Sequence, residues 1–162
     1  MRILAVNPGG RYVGLAVFYG SDLRDWRVRS LGRTPRNDRE KVLINLVSKT
    51  IRIHGANALV IKAFHPARSP QHLRSLVRKV KEIAKAEGLR IRELSINELK
   101  AKLGSNGCAN KRDLMENVAA RYPFLYPELE REKKCKTHYP TRMFEAVALG
   151  AAISSDLEQK GR

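Results

Sequence analysis

The opening nineteen residues, Met1 to Tyr19, constrain the fold more than any other stretch of this chain. Ile3-Leu4-Ala5-Val6 is a short apolar run of the length a buried strand takes. Asn7-Pro8-Gly9-Gly10 ends it, because proline lacks an amide hydrogen and fixes φ while glycine tolerates a sharp reversal. An apolar run from Tyr12 to Phe18 follows, so the segment reads as two strands folded back on each other. A polar residue that ends a buried strand just before a glycine turn sits where sheet proteins carry functional groups. Here that residue is Asn7.

The rest of the chain alternates. A third strand is predicted over roughly Trp26 to Leu31. Asn37 or Asp38 can cap a helix that runs to about His54, with Val42, Leu43, Leu46, Val47 and Ile51 on one face, and Gly55 ends it. Ala58 to Ile61 reads as a buried fourth strand that delivers Lys62 at its end. A loop carrying Phe64, His65 and Arg68 leads into a basic amphipathic helix from about Gln71 to Glu87, its inward residues including Leu73, Leu76, Val77, Val80, Ile83 and Ala84. Leu89 to Leu94 is the fifth strand, Ile96 to Leu103 a short helix, and Asn110 to Arg121 another. The proline-punctuated, charged stretch 122–140 is expected to be a mobile loop, followed by a last helix from Thr141 to Leu157. Its Ala146, Ala148, Gly150, Ala151 and Ala152 are small enough to lie close against a sheet.

A single domain over 1–162 is expected, large enough to bury a substantial core. No apolar stretch approaches the ~20 residues of a membrane helix, and because Met1-Arg2-Ile3 runs straight into a strand, no signal peptide is expected. Two cysteines make no disulfide framework, so a reducing, cytoplasmic setting is expected. Cys108, Cys135 and His138 could supply three zinc ligands, though their spacing matches no familiar site. Charge says more. Thirty-two Lys and Arg against sixteen Asp and Glu give +16 and a pI near 10.4, a balance that points to nucleic acid. A solvated thermophile-type surface is the plain alternative, but it normally carries matching glutamates.

Three meandering strands followed by alternating helices and strands imply an α/β fold with a mixed five-stranded sheet flanked by helices. That order resembles the ribonuclease H-like fold, and the motifs resemble one family within it, the RuvC-type Holliday junction resolvases. Val6-Asn7-Pro8-Gly9-Gly10 through Val17 is similar to that family's opening, an Asp-Pro-Gly leading into a glycine-containing second strand. Leu59-Val60-Ile61-Lys62 is similar to the strand that ends there in a catalytic Glu. The stretch from Asn97 to Lys111 resembles its two-lysine segment, keeping the eleven-residue gap between Lys100 and Lys111. Arg142-Met143-Phe144-Glu145-Ala146-Val147-Ala148 is similar to its closing Asp-x-x-Asp-Ala-x-Ala helix.

The departures bear on function. In that family four acids hold two magnesium ions, and carried over they fall on Asn7, Lys62, Arg142 and Glu145, of which only Glu145 is acidic. Magnesium requires hard anionic oxygens, so no metal and no cofactor are expected in this degenerate pocket. Glu145 can accept from both Lys62 and Arg142, and Asn7 can donate to Glu145 and accept from Lys62. The resemblance gives Lys100 and Lys111 contacts to DNA phosphate, with Arg112, Arg68 and Lys62 adding to the same field. It also places a junction-wedging aromatic near Phe64 and His65. It implies a homodimer through the helix bearing Leu73, Leu76, Val80 and Ile83. The expectation is therefore a pseudonuclease of recombination or repair that binds branched DNA without cutting it. Two alternatives stay open: a magnesium-dependent junction nuclease with rearranged acids such as Glu98, Asp113 and Glu145, and a scaffold for RNA or protein.

Overall fold

The computed structural model describes residues 1–65, 67–103, 110–134 and 139–160. A five-stranded sheet lies at its centre, built from β1 (Arg2–Asn7), β2 (Tyr12–Tyr19), β3 (Asp22–Ser30), β4 (Ala58–Lys62) and β5 (Arg90–Leu94), in the order β3-β2-β1-β4-β5. The first three strands pair antiparallel, whereas β1–β4 and β4–β5 pair parallel, which is the mixed sheet the strand order implies. Helices α1 (Arg36–His54) and α2 (Gln71–Ala86) supply the connections to those parallel strands. The remaining helices are α3 (Ile96–Leu103), α4 (Lys111–Arg121), α5 (Tyr126–Lys134) and α6 (Tyr139–Lys160).

Strand periodicity divides the core into two layers. Ile3 and Ala5 of β1 point into the core shared with α3 to α6, while Leu4 and Val6 point into the core shared with α1 and α2. Phe18 and Phe144 are completely buried in the first layer. The closeness of α6 to the sheet has a steric cause. A Cβ on Gly14 of β2 would run into the Arg142 carbonyl, and a Cβ on Gly150 would run into the Phe18 ring. Ser154 on α6 donates to the Gly20 carbonyl at 2.9 Å, tying the helix to the β2–β3 hairpin.

Several boundaries differ from expectation. β3 begins at Asp22 instead of Trp26, because Gly20, with φ of 63°, closes a two-residue turn and an edge strand tolerates Asp22, Arg24 and Asp25 facing solvent. α1 starts at Arg36 with Pro35 at its N-cap, so Asn37 and Asp38 lie within its first turn instead of capping it. The segment expected as a loop over 122–140 contains a 3-10 turn, Pro123–Leu125, and then α5. Pro127 falls in the first turn of α5, where a missing amide hydrogen costs nothing. Leu125 and Leu129 anchor this stretch in the core. α6 begins at Tyr139, earlier than Thr141.

The apolar stripe of α2, expected as a dimer contact, also serves the chain's own core. Leu76 and Val80 are buried in the chain's own core, and Leu73 and Ile83 pack against it half-buried. A helix that must cover one sheet face uses its apolar stripe for that first. No helix among the described residues is long and apolar enough to cross a membrane.

Candidate functional site

Parallel pairing of β1 and β4 brings their C-terminal ends side by side, so Asn7 and Lys62 emerge together at one end of the sheet. Gly14, opposite Asn7 in the β1–β2 ladder, leaves room for the backbone of α6 to press down at Arg142. The amide of Asn7 uses this proximity twice. Its Nδ2 donates to Glu145 Oε2 at 2.9 Å and lies 3.3 Å from the Arg142 carbonyl. Lys62 Nζ donates to the same Oε2 at 2.8 Å. Lys111, the first residue of α4, brings its Nζ to 3.3 Å from the other oxygen, Oε1.

Burial makes this cluster electrostatically demanding. Glu145 is 1% exposed and the Lys62 side chain 12%, whereas the Lys111 side chain is 59% exposed. Burial pushes the Glu145 carboxyl up. The Lys62 charge and hydrogen bond, with the Lys111 and Arg142 charges behind them, outweigh that and hold it below its ordinary value. The anion is therefore kept by cations of the chain itself. Lys111 makes an ion contact without hydrogen-bond geometry, so Glu145 Oε1 and Asn7 Oδ1 are buried oxygens that accept no hydrogen bond among the described residues.

Two expected contacts are not formed. Arg142 does not pair with Glu145 through its side chain; the guanidinium lies against the Gly9 turn, where a Cβ would come within 3.0 Å of its Cζ. Its backbone carbonyl, not its side chain, meets Asn7. Asn7 does not accept from Lys62, because Lys62 is taken by the full negative charge of Glu145. Lys111 is the second cation on Glu145, a partnership sequence reasoning missed. The available signal was its place directly after the Asn110 cap, which accepts from the Asp113 amide at 2.9 Å and fixes where α4 starts.

The other predicted residues spread around this pocket. Phe64 is half-buried against the α1–α2 core, with Lys62 Nζ 5.6 Å from its ring centroid. His65 is exposed and its Nδ1 accepts from the Ala67 amide; Arg68 is exposed beside it. Arg112 is exposed and pairs with Glu116 one turn on, and Lys100 is half-buried on α3. Glu98 forms a capping box with Ser95, each side chain bonding the other's amide at 2.9 and 3.1 Å. This gives Glu98 a helix-capping role.

The donor set does not fit a pair of divalent ions. It offers one neutral amide and one carboxylate already paired with two lysines, whereas such ions require several anionic oxygens. No three His, Cys, Asp or Glu side chains come together among the described residues, so Glu98, Asp113 and Glu145 form no rearranged cluster there. Cys108, Cys135 and His138 lie outside the described residues.

No family model and no curated protein matches this chain. Solved structures do. The Thermus thermophilus RuvC structure is 16% identical, with a TM-score of 0.76 over 99% of this chain and 97% of its own. T. thermophilus RuvC in complex with a Holliday junction substrate is also 16% identical, with a TM-score of 0.72 over 98% and 96% of the two chains. The yeast mitochondrial Holliday junction resolvase Ydc2 is 10% identical, with a TM-score of 0.71 over 98% of this chain and 80% of its own. The fold is thus the RuvC, ribonuclease H-like one, end to end.

Proposed function

We propose that this protein binds branched DNA without cleaving it, using the resolvase fold as a cationic platform. The observation that carries this reading is the Lys62–Glu145–Lys111 cluster. It puts two ammonium groups at the end of the sheet where the resemblance expects metal-binding acids. A pocket neutralised from within can accept phosphate directly, with no ion to bridge two anions. Lys111 and Arg112 are the cations best exposed for this, and Arg68 extends the field across the β4–α2 loop. Lys62 is pinned, and contributes charge without reaching far. The overall charge of +16 supports a polyanionic partner over a neutral one. A homodimer belongs to this reading on the resemblance alone, since Leu76 and Val80 already serve the chain's own core. Light scattering at micromolar concentration checks it, and a monomer would remove the dimer from the account.

The test is a gel-shift panel in EDTA with a four-way junction, a linear duplex, a single strand and an RNA duplex. The junction should bind best, and adding magnesium or manganese should yield no cleaved product. Tighter binding of RNA would favour the scaffold alternative. Metal-dependent cutting of the junction would restore the nuclease alternative. If about six to ten phosphates are contacted, affinity should fall about three to five decades between ~50 and ~200 mM salt. Replacing Lys111 and Lys100 with Ala should flatten that slope.

A further inference from the structure

A second feature lies at the start of α6, where Tyr139 opens the helix. A groove of about 200 Å³ opens between edge strand β3 and the α5–α6 corner, lined by Trp26, Arg27, Glu128, Arg131, Tyr139 and Met143. Resting on the nucleic-acid reading above, we propose that this groove takes one unpaired base of the bound strand, its ring against Trp26 and Tyr139 and a flanking phosphate at Arg131.

Several observations converge on that occupant. The groove is smaller than the roughly 300–1,000 Å³ of pockets for drug-sized ligands, and suits a single planar ring system. Two of its lining residues are aromatic, Trp26 and Tyr139. Phe124 packs tilted against Trp26 with centroids 5.0 Å apart, and Tyr139 meets Tyr12 edge-on at 5.2 Å. Tyr139 is held by its hydroxyl, which donates to the Val28 carbonyl at 3.2 Å. Tyr139 is 38% exposed and Trp26 half-buried. An aromatic face left in water beside cations is what base stacking uses, because every base has a π-face. The cation is exchangeable. Arg131 pairs with Glu128 at 3.3 Å at the surface, where such a pair holds weakly. Glu128, once released, is an acceptor for an exocyclic amine.

The groove shares elements with the cluster. Tyr139 opens α6, which carries Arg142 and Glu145, and its ring meets Tyr12, which starts β2 just after the Asn7–Arg11 turn. Bases stacked inside a duplex cannot enter, so the groove favours strands with an unpaired position.

Trp26 is the chain's one tryptophan, and its fluorescence reports on this groove directly. The full chain is titrated with a short oligothymidylate, an abasic strand of equal length, a blunt duplex and an acidic peptide, with a gel shift run alongside. The oligothymidylate should quench Trp26, while the abasic strand should shift in the gel without quenching. Tyr139→Leu should weaken oligothymidylate binding about tenfold, the scale of one base–aromatic stack. Arg131→Gln, which removes no packing from the core, should weaken it by a smaller factor and provides the check if Tyr139→Leu fails to fold. A gel shift with unchanged Trp26 emission, or equal quenching by the abasic strand, would overturn the groove while leaving nucleic-acid binding intact. Quenching by the acidic peptide alone would assign the groove to a protein partner. Absence of any shift would overturn both readings together.

Discussion

Two polar clusters sit at opposite ends of the same central strands, and they are built on opposite terms. At the C-terminal ends of β1 and β4, one carboxylate, 1% exposed, holds Lys62, Lys111 and the Asn7 amide. At the other end, Asp25 pairs with Arg27 and lies 3.4 Å from His54 Nε2, while His54 Nδ1 meets the Tyr19 hydroxyl at 3.2 Å. Arg2 and Arg24 lie over the Tyr19 ring. The second cluster has more members, yet Asp25 keeps 28% of its side chain in water. Solvent can replace any partner lost there. At Glu145 it cannot, so the smaller cluster dominates the energetics.

The largest effect should come from Glu145→Gln. It leaves the Lys62 charge nearly buried with no counter-ion, and denaturant unfolding should show a loss of about 3–5 kcal/mol. Pairing it with Lys62→Met should recover most of that loss, because the neutral pair leaves no nearly buried charge in need of a counter-ion. The same carboxylate shapes the acid limb. Its folded pKa lies below the unfolded value of 4.5, so its stabilisation is complete above that pH and is lost as pH falls through the folded value. Melting curves of the wild type should therefore decline in that window more steeply than those of Glu145→Gln. Next comes Gly14→Ala. Its Cβ would collide with the Arg142 carbonyl, and about 1–3 kcal/mol should be lost as α6 lifts from the sheet. Asp25→Asn should be the mildest, within about 1 kcal/mol. An Asp25 substitution as damaging as Glu145→Gln would erase the contrast between the two ends.

How much of this was legible in the sequence follows from the same contrast. Strand order, the α6–sheet contact and the meeting of Asn7, Lys62 and Glu145 were readable, because period-2 apolar runs, glycines and a matching motif order each fix backbone position. The partner of the second Glu145 oxygen was not. Lys111 and Arg142 are both long cations within reach, and only the rotation of α6, set by Gly14 and Gly150, turns the Arg142 guanidinium towards the Gly9 turn. The helix Tyr126–Lys134 was hidden by its prolines, which read as loop punctuation although Pro127 stands where a helix tolerates it. The Trp26 groove joins residues more than a hundred positions apart, with no motif to link them; the run of aromatics from Tyr122 to Tyr139 was its one local trace.

In the proposed function, lysines take the role of metal ions at the end of β1. A calorimetric titration of manganese into the protein, with melting temperature followed in parallel and Glu145→Gln as control, tests it most directly. No heat that depends on Glu145 and no rise in melting temperature are expected. A site filled at a hundredfold excess over its Kd would instead add about 2.7 kcal/mol of stability. Manganese binding that raises the melting temperature of the wild type and vanishes in Glu145→Gln would contradict the account.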